Sequence, residues 1–355
     1  MRRLLWISIV FAAILTVSCN NEDENSGMMS LKFPQVTGSI PRVFLFSDDP
    51  EKQFIEVDGI TDPEKLEVII DSEEPAFEIE SIEEKGIRIK PLGEPSFKIK
   101  ATKIHIIEPG RSTKENPSAT LYVYLTATPA SMNVYLNDNS RIAISDKRNG
   151  ERYIYASNLV DVEKRIHLSE NQSVRVYFQL VDKNGNKSQK LTSSEEVFVF
   201  EGEIIPSGNS ALSDNLVCDH EVLTAAENVE KMSSGKVEWT FAGKPELKAS
   251  LDIVVHPAPK AIHVTDSKGN ELEDNKNYNL TAGKDRFIIR MDPIDAYPVC
   301  QWIQYDENTG NTVDSFGTQY GAVMDVSAPK NKLTYFYISA LGGKLAREIK
   351  VRYYE

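Results

Sequence analysis

The sequence predicts an all-β protein built from tandem β-sandwiches. Short segments rich in Val, Ile, Tyr and Phe recur along the chain, and many of them alternate with polar residues at a period of two. Loops that place glycine beside Asn or Lys separate these segments, as in VDKNGNKS, TDSKGNE and YDENTGNT. The stretch Glu221–Met232 carries enough Ala, Leu and Glu to predict a helix. The predicted fold class is therefore all-β with at most one short helix, near residues 221–232.

The strand pattern recurs up to the C-terminal residues. In chain order it occurs in RVFLFS, LEVIID, GIRIKP, FKIKATKIHII, TLYVYLTA, SVRVYFQLV, EVFVFEGEI, KVEWTF, LDIVV, DRFIIRM, CQWIQY, LTYFYIS and EIKVRYY. Within KVEWTF, Trp239 is in phase with Val237 and Phe241. This alternation predicts that all three side chains face a core.

Proline-bearing breaks divide the chain into modules. One break surrounds Pro129 and the other contains Pro257 and Pro259, and each follows a predicted strand. We therefore predict a first module (31–129), a middle module (130–257) and a last module (258–355), each near the ~100 residues of a small sandwich. The middle module is the longest, and its extra residues are expected in a loop and helix region between 205 and 234.

The N-terminus predicts export. Met1, Arg2 and Arg3 precede a fourteen-residue apolar run, 4–17, which is shorter than the roughly 20 residues of a spanning helix. Ser18 and Cys19 follow directly. One interpretation is an ordinary signal peptide with an incidental cysteine. The pattern also resembles the lipoprotein signals of Bacteroidetes, which tolerate a residue such as Thr16 in place of the usual leucine. That resemblance implies cleavage after residue 18 and a diacylated Cys19.

The segment 19–30 is acidic and polar, which predicts a flexible tether. Glu22, Asp23 and Glu24 resemble the acidic export tag of Bacteroidetes surface lipoproteins. This resemblance implies a lipid-anchored protein of the outer membrane, exposed at the cell surface; a solvated tether is the alternative. The formal net charge is −13 and becomes −15 without Arg2 and Arg3. Such an acidic chain is a poor partner for nucleic acid.

The last module has the most familiar order of segments: AIHV, RFIIRM, CQWIQY, LTYFYIS and REIKVRYY, with a Gly-Gly turn before the final one. It resembles the bacterial immunoglobulin-like and PKD-like sandwiches of surface lipoproteins. The first and middle modules are similar to these sandwiches only in strand spacing. Cys300 lies two residues before Trp302, so the Cys…Trp…Cys spacing of antibody domains is absent.

No catalytic motif is recognisable in the sequence. It contains no H-E-x-x-H, C-x-x-C, G-x-S-x-G or glycine-rich phosphate loop, and we expect no catalytic residue, cofactor or metal site. Cys218 and His220 form a CDH triplet without further candidate ligands. The loops DKNGN and DENTGN offer oxygen ligands suited to calcium but lack the EF-hand spacing, so hairpin turns explain them. Cys218 and Cys300 either pair or remain free thiols.

Exposed aromatic residues are the best candidates for ligand contact. Tyr305, Tyr335 and Tyr337 are out of phase with the predicted core positions of their strands. They form the candidate contact set for a glycan captured beside a nutrient importer, as the family resemblance implies. The alternative function is a structural spacer, adhesin or assembly subunit that contacts another protein, for example through an unpaired edge strand at IKVRYYE.

Overall fold

A computed structural model shows the fold. It describes residues 31–34, 41–98, 100–110, 117–146, 150–192, 200–206, 212–281, 284–306, 312–320, 323–324, 332–342 and 344–354. The predicted lipid attachment at Cys19 and the predicted export tag, Glu22, Asp23 and Glu24, lie outside these residues.

The first module is a two-sheet sandwich. Its strands are β1 (Arg42–Phe46), β2 (Phe54–Glu56), β3 (Glu67–Asp71), β4 (Phe77–Glu83), β5 (Gly86–Pro91), β6 (Lys100–Ile107) and β7 (Ser118–Thr126). Short 3₁₀ turns occur at Pro50–Lys52 and Pro63–Lys65. One sheet has the order β1-β7-β6-β3, and the other has the order β2-β5-β4.

The middle module adds a hairpin to the same plan. Its strands are β8 (Ser131–Leu136), β9 (Arg141–Asp146), β10 (Gly150–Tyr155), β11 (Ile166–Ser169), β12 (Ser173–Val181), β13 (Phe200–Pro206), β14 (Leu216–Asp219), β15 (Val222–Ala225), β16 (Ser233–Phe241) and β17 (Lys244–His256). The sheets have the orders β11-β17-β16-β13 and β14-β15-β12-β8, and β9 pairs with β10. A 3₁₀ turn lies at Ala156–Leu159, and helix α1 at Leu212–Asn215.

The last module again has two sheets. Its strands are β18 (Ala261–Asp266), β19 (Asn277–Thr281), β20 (Phe287–Asp292), β21 (Pro298–Asp306), β22 (Thr312–Tyr320), β23 (Val323–Met324), β24 (Lys332–Ala340) and β25 (Ala346–Tyr354). The sheet orders are β18-β20-β23 and β19-β25-β24-β21-β22.

The same pairing recurs in every module. An early strand runs parallel to the last strand, as β1 does with β7, β11 with β17 and β19 with β25. The last strand also pairs antiparallel with the strand before it. The chain is thus an all-β protein of tandem immunoglobulin-like sandwiches, as predicted. Among the described residues, no helix has the length and apolar character needed to span a bilayer.

The predicted helix at Glu221–Met232 is wrong. Its first part is strand β15, which pairs with both β14 and β12. Leu223 and Ala225 are buried, while Val222 and Thr224 are only partly buried, so the stretch follows the period of a strand. Burial on one face of a sheet outweighs the helix propensity of Ala and Glu. The α-helix instead lies upstream, at α1.

The C-terminal segment IKVRYYE is not the unpaired edge that the sequence suggested. Strand β25 has β19 on one side and β24 on the other. The parallel partner β19 comes from seventy residues earlier, where Asn277 is paired with Lys350. The backbone groups of β25 are therefore hydrogen-bonded within the sheet, and this strand does not offer a free edge to another chain.

The predicted core position of Trp239 is confirmed. Trp239 and Val237 are fully buried, and Phe241 is 2% exposed. The Trp239 ring packs edge-on against Phe178 of the facing sheet, with centroids 5.4 Å apart. The contact joins the two sheets of the middle module through large apolar side chains.

The core of the middle module extends into both neighbours. One continuous cluster of buried side chains contains Trp239 together with Phe46, Phe97 and Tyr124 of the first module, and Val299 and Leu341 of the last module. Separate clusters fill the first and last modules. Burial of a shared core stabilises the junctions in the same way as it stabilises a single domain.

Gly342 lies at a close approach between the middle and last modules. Its φ is +77°, and a Cβ at this position would lie 2.3 Å from the Ser169 hydroxyl oxygen of β11. Only glycine fits both the left-handed backbone and the contact.

We predict that Gly342→Ala destabilises the protein more than Gly269→Ala, its matched control. Gly269 has a similar φ of +86° but open space around the Cβ position. Each change costs about 1–2 kcal/mol for the left-handed backbone, and the overlap with Ser169 adds about 1–3 kcal/mol in Gly342→Ala alone. Urea denaturation measures both. Equal losses of unfolding free energy would show that the junction does not depend on this contact.

Candidate functional site

The tyrosines predicted to contact a ligand lie on neighbouring strands of the last module. Tyr305 is on β21, paired with Leu333, and its side chain lies outside the described part of the structure. Tyr335 and Tyr337 are on β24, and both are half-buried. The backbone register places Tyr305 beside the tyrosine pair of β24.

A cation covers each of the two described rings. The Lys350 ammonium lies 5.2 Å from the centre of the Tyr335 ring, and the Arg152 guanidinium lies 5.5 Å from that of Tyr337. Because Arg152 belongs to β10, Tyr337 lies where the middle and last modules meet. A sugar could stack on that face of Tyr337 only by displacing Arg152. Ligand contact by the three tyrosines stays a prediction.

The CDH triplet has structural contacts. The Cys218 thiol donates to the carbonyl of His220, with sulfur and oxygen 3.8 Å apart, and not to the imidazole. Burial raises the pKa of Cys218 to about 11, so the thiolate needed for nucleophilic attack is scarce at neutral pH. The same carbonyl accepts from the Trp239 indole at 2.7 Å. Cys218 and Cys300 are both free thiols, the second of the two alternatives.

The aspartates of two glycine-bearing loops hold turns together. Asp182 Oδ1 accepts the backbone N–H groups two and four residues later, both at 2.8 Å, and Asp266 does the same. A hydrogen bond from the asparagine side chain four residues later lowers the pKa of each aspartate. Among the described residues, no group of three or more His, Cys, Asp or Glu is placed to hold a metal. Residues 307–311 of DENTGN lie outside the described ranges.

The outer face of the sheet that contains β8 and β12 carries a stacked pair of tyrosines. Tyr135 and Tyr177 stand opposite each other in the antiparallel register, with ring centroids 5.2 Å apart. On Tyr177, the Lys190 ammonium lies 4.4 Å from the ring centroid. Tyr135 is 36% exposed, and β8 is the edge strand of its sheet. A ligand can therefore reach the Tyr135 ring.

Amide groups flank this pair. Asn133 and Gln179 stand opposite each other one step further along the same face. No described residue bonds to the Asn133 side chain, while Gln179 Nε2 donates to the Ser188 carbonyl at 3.2 Å. The tyrosine face, as we call it, therefore offers a flat ring edged by hydrogen-bond donors and acceptors. It comprises Asn133, Tyr135, Tyr177, Gln179 and Lys190.

The tyrosine face was not predicted from the sequence, although one of its two rings could have been recognised there. In SVRVYFQLV, Tyr177 is out of phase with the core residues Val176 and Phe178, which predicts an outward ring. Its partner Tyr135 lies in SMNVYL, a segment that the strand pattern did not single out. Only the register of β8 against β12 brings the two rings together.

A cleft of about 510 Å³ lies between the first and middle modules. We call it the junction cleft. The first module contributes Pro95–Lys98 and Ala127, and the middle module contributes Asp182 and Asn186–Gln189. Ser188 connects this cleft to the tyrosine face, because its carbonyl accepts the hydrogen bond from Gln179. The two features thus border each other.

A second polar cluster lies between the middle and last modules. His167 Nδ1 and His256 Nε2 are 2.8 Å apart, and both side chains are buried. His167 Nε2 lies 3.0 Å from the Asp161 carboxylate, and His256 Nδ1 lies 2.8 Å from the Asp295 carbonyl of the last module. Tyr297 stacks on His167 with ring centroids 4.5 Å apart. The histidines therefore form a continuous series of polar contacts that connects the two modules.

The two neutral histidines make three polar contacts through their ring nitrogens but carry only two N–H protons. Carboxylate and carbonyl oxygens only accept, so the outer nitrogens of His167 and His256 each need an N–H, and the contact between the rings needs a third. Two neutral imidazoles supply two. A third proton would allow a hydrogen bond between the two rings, but it would place a positive charge in a buried site.

Burial decides the protonation of the two histidines. It lowers the pKa of His256 to about 4 and also lowers that of His167. Burial opposes ionisation of Asp161, but hydrogen bonds from the Arg165 backbone, His167 and the Arg165 guanidinium outweigh it and lower the pKa of Asp161. At neutral pH the histidines are thus neutral beside an ionised Asp161–Arg165 pair, whose N···O distance is 2.8 Å.

We predict that acid weakens the protein partly through His256. Between pH 6.5 and about 4 the unfolded chain binds a proton that the folded protein does not, so the unfolding free energy falls as the pH falls, by about 3 kcal/mol for this group. His256→Phe is expected to show a pH dependence smaller by that amount in urea denaturation. The exposed His263 supplies the control, since His263→Gln should match the unmodified protein. An unchanged pH dependence in His256→Phe would contradict the assignment.

Comparisons with known proteins identify no family. No protein-family model matches the chain, and no curated protein matches it significantly. Among solved structures, the chain is similar to Drosophila N-cadherin EC1-3, with 12% identity, coverage of 89% of this chain and 98% of that one, and a TM-score of 0.20. For mouse Cadherin-23 EC22-24 the values are 9%, 91%, 98% and 0.21, and for a protocadherin GammaB4 extracellular domain 12%, 92%, 51% and 0.22. Similarity at these TM-scores carries no argument about function.

Proposed function

We propose that this protein is a non-catalytic, lipid-anchored surface protein that binds a polysaccharide on the tyrosine face and in the junction cleft. The observation that carries the proposal is the stacked pair Tyr135 and Tyr177, flanked by the amides of Asn133 and Gln179 beside an open cleft. An aromatic ring packs against the C–H face of a sugar, and amides exchange hydrogen bonds with its hydroxyl groups. Each part of the site thus matches a part of a sugar.

The position of the tyrosine face beside the junction cleft suits a polysaccharide rather than a single small sugar. The tyrosine face is an open sheet surface, and Ser188 links it to the junction cleft. Gln179 is two residues from Tyr177 on β12, about 7 Å along the strand. A polymer can therefore lie on the tyrosines with one part and enter the cleft with the next.

Replacing Tyr135 with alanine should abolish most of the binding. Loss of one aromatic anchor weakens an interface roughly thirtyfold, and Tyr135 is exposed enough for the fold to persist. Affinity electrophoresis of the folded protein in gels that contain a panel of neutral and acidic polysaccharides measures this change.

Tyr153→Ala is the matched control for that experiment. Tyr153 is in the same module and is 61% exposed, but it lies on β10, away from the tyrosine face. This variant should bind as the unmodified protein does. If no polysaccharide retards the protein, or if Tyr153→Ala loses binding while Tyr135→Ala keeps it, the proposed site is wrong.

The cellular position is part of the proposal and has its own test. An acyl chain on Cys19 would hold the protein at the outer membrane, and Glu22, Asp23 and Glu24 would direct it to the cell surface, where captured polysaccharide can pass to an importer. We predict that Cys19→Ala shifts the protein from the membrane fraction to the soluble fraction, because the lipid supplies the membrane affinity. The control Cys218→Ala also removes one cysteine, as Cys19→Ala does, and should stay membrane-bound. Retention of Cys19→Ala in membranes would refute the anchor.

A second candidate function is supported by the shared core. Burial of Phe46, Tyr124, Val299 and Leu341 in the cluster around Trp239 joins the modules firmly, which suits a spacer or assembly subunit that contacts another protein. This function predicts a protein partner and no polysaccharide affinity, so the electrophoresis experiment separates the two candidates.

A further inference from the structure

The junction cleft carries two lysines that no described carboxylate neutralises. Lys98 lies in its first-module wall and Lys187 in its middle-module wall. Both side chains are exposed, and neither takes part in an ion pair within the described structure. By contrast, Lys190, which follows the cleft residue Gln189 in the chain, is held by Asp138 at 2.9 Å.

The acidic residue of the cleft offsets only one of these two charges. Asp182 accepts the backbone N–H groups of Asn184 and Asn186 through Oδ1 and the Asn186 side chain through Oδ2, each at 2.8 Å. Its two oxygens are therefore directed into the turn. With two lysines and one aspartate, the lining of the cleft has a net positive charge, although the whole chain has a net charge of −13.

We infer that the polysaccharide bound by this protein is anionic, with carboxylate or sulfate groups that lie between Lys98 and Lys187. This inference rests on the proposed function and adds the ligand class to it. A sugar unit packs on Tyr135 and accepts or donates hydrogen bonds at Asn133, while an acidic group of a neighbouring unit enters the junction cleft. The positive charge of the cleft attracts an anionic polymer locally, although the protein as a whole is acidic. A neutral polymer does not gain this electrostatic attraction.

The two lysines lie on opposite walls of the junction cleft, one from each module, and backbone hydrogen bonds hold both of their segments. Pro95–Lys98 is held against the first module by the hydrogen bond from the Ala127 N–H to the Ser96 carbonyl, at 2.9 Å. Lys187 follows the Asp182 turn, where its backbone is bridged to Val181 at the end of β12. Both lysines are thus carried by segments with fixed backbones on opposite walls.

The test compares one polymer with and without its charge. Affinity electrophoresis in gels that contain polygalacturonate or its fully methyl-esterified form measures binding to the same sugar backbone; dextran sulfate and dextran form the corresponding pair for sulfate. We expect the charged member of at least one pair to bind about tenfold more tightly than the uncharged member, and this preference to shrink as salt is added.

Variants assign the preference to the cleft. The double variant Lys98→Gln/Lys187→Gln should lose the preference for the charged polymer. The control double variant Lys85→Gln/Lys236→Gln removes two exposed lysines outside the cleft and should keep it. Equal affinity for charged and uncharged polymers, with loss of both in Tyr135→Ala, would overturn the inference and leave the proposed function standing. Charge preference that survives Lys98→Gln and Lys187→Gln would also overturn it. Absence of binding to all four polymers would overturn the inference together with the polysaccharide assignment for these sugars.

Discussion

The buried cluster around Trp239 does not end at the boundary of the middle module. Phe46, Phe97 and Tyr124 enter it from the first module, and Val299 and Leu341 enter it from the last. Close packing leaves little room for these side chains to move independently, because each displaced apolar group would lose its contacts. The positions of both neighbours relative to the middle module therefore depend on this one core.

Both polar features of the molecule depend on that constraint. The junction cleft exists because the first module holds Pro95–Lys98 against the turn at Asp182, and Phe97 of that wall is itself part of the shared core. On the other side, His167 and His256 meet the Asp295 carbonyl and the Tyr297 ring because Val299 and Leu341 anchor the last module. A chain with loosely linked modules could not keep the 2.8 Å contact between His256 Nδ1 and the Asp295 carbonyl.

The aromatic residues show how much of a candidate site is readable from sequence. Alternation within a strand correctly places Trp239 inside, and it also places Tyr177 on the outer face. The tyrosine face nevertheless requires Tyr135, from a strand about forty residues away in the chain. Conversely, Tyr337 reads as an outward aromatic, but Arg152 of another module covers it. Alternation shows on which side of the sheet a residue lies, but it does not show which residues of other strands or modules cover that side.

By itself, the sequence determined that the protein is all-β, where most of its strands lie and where its proline breaks fall, because period-two alternation and turn residues act over a few positions of the chain. Tertiary structure decided the rest. Strand β15 replaced a helix because β12 and β14 pair with it, and β25 became an inner strand because β19 adds to its open side. His167 and His256, 89 residues apart, lie within hydrogen-bond distance of each other for the same reason. These outcomes depend on the pairing of distant segments, and that pairing is set by burial of a common core.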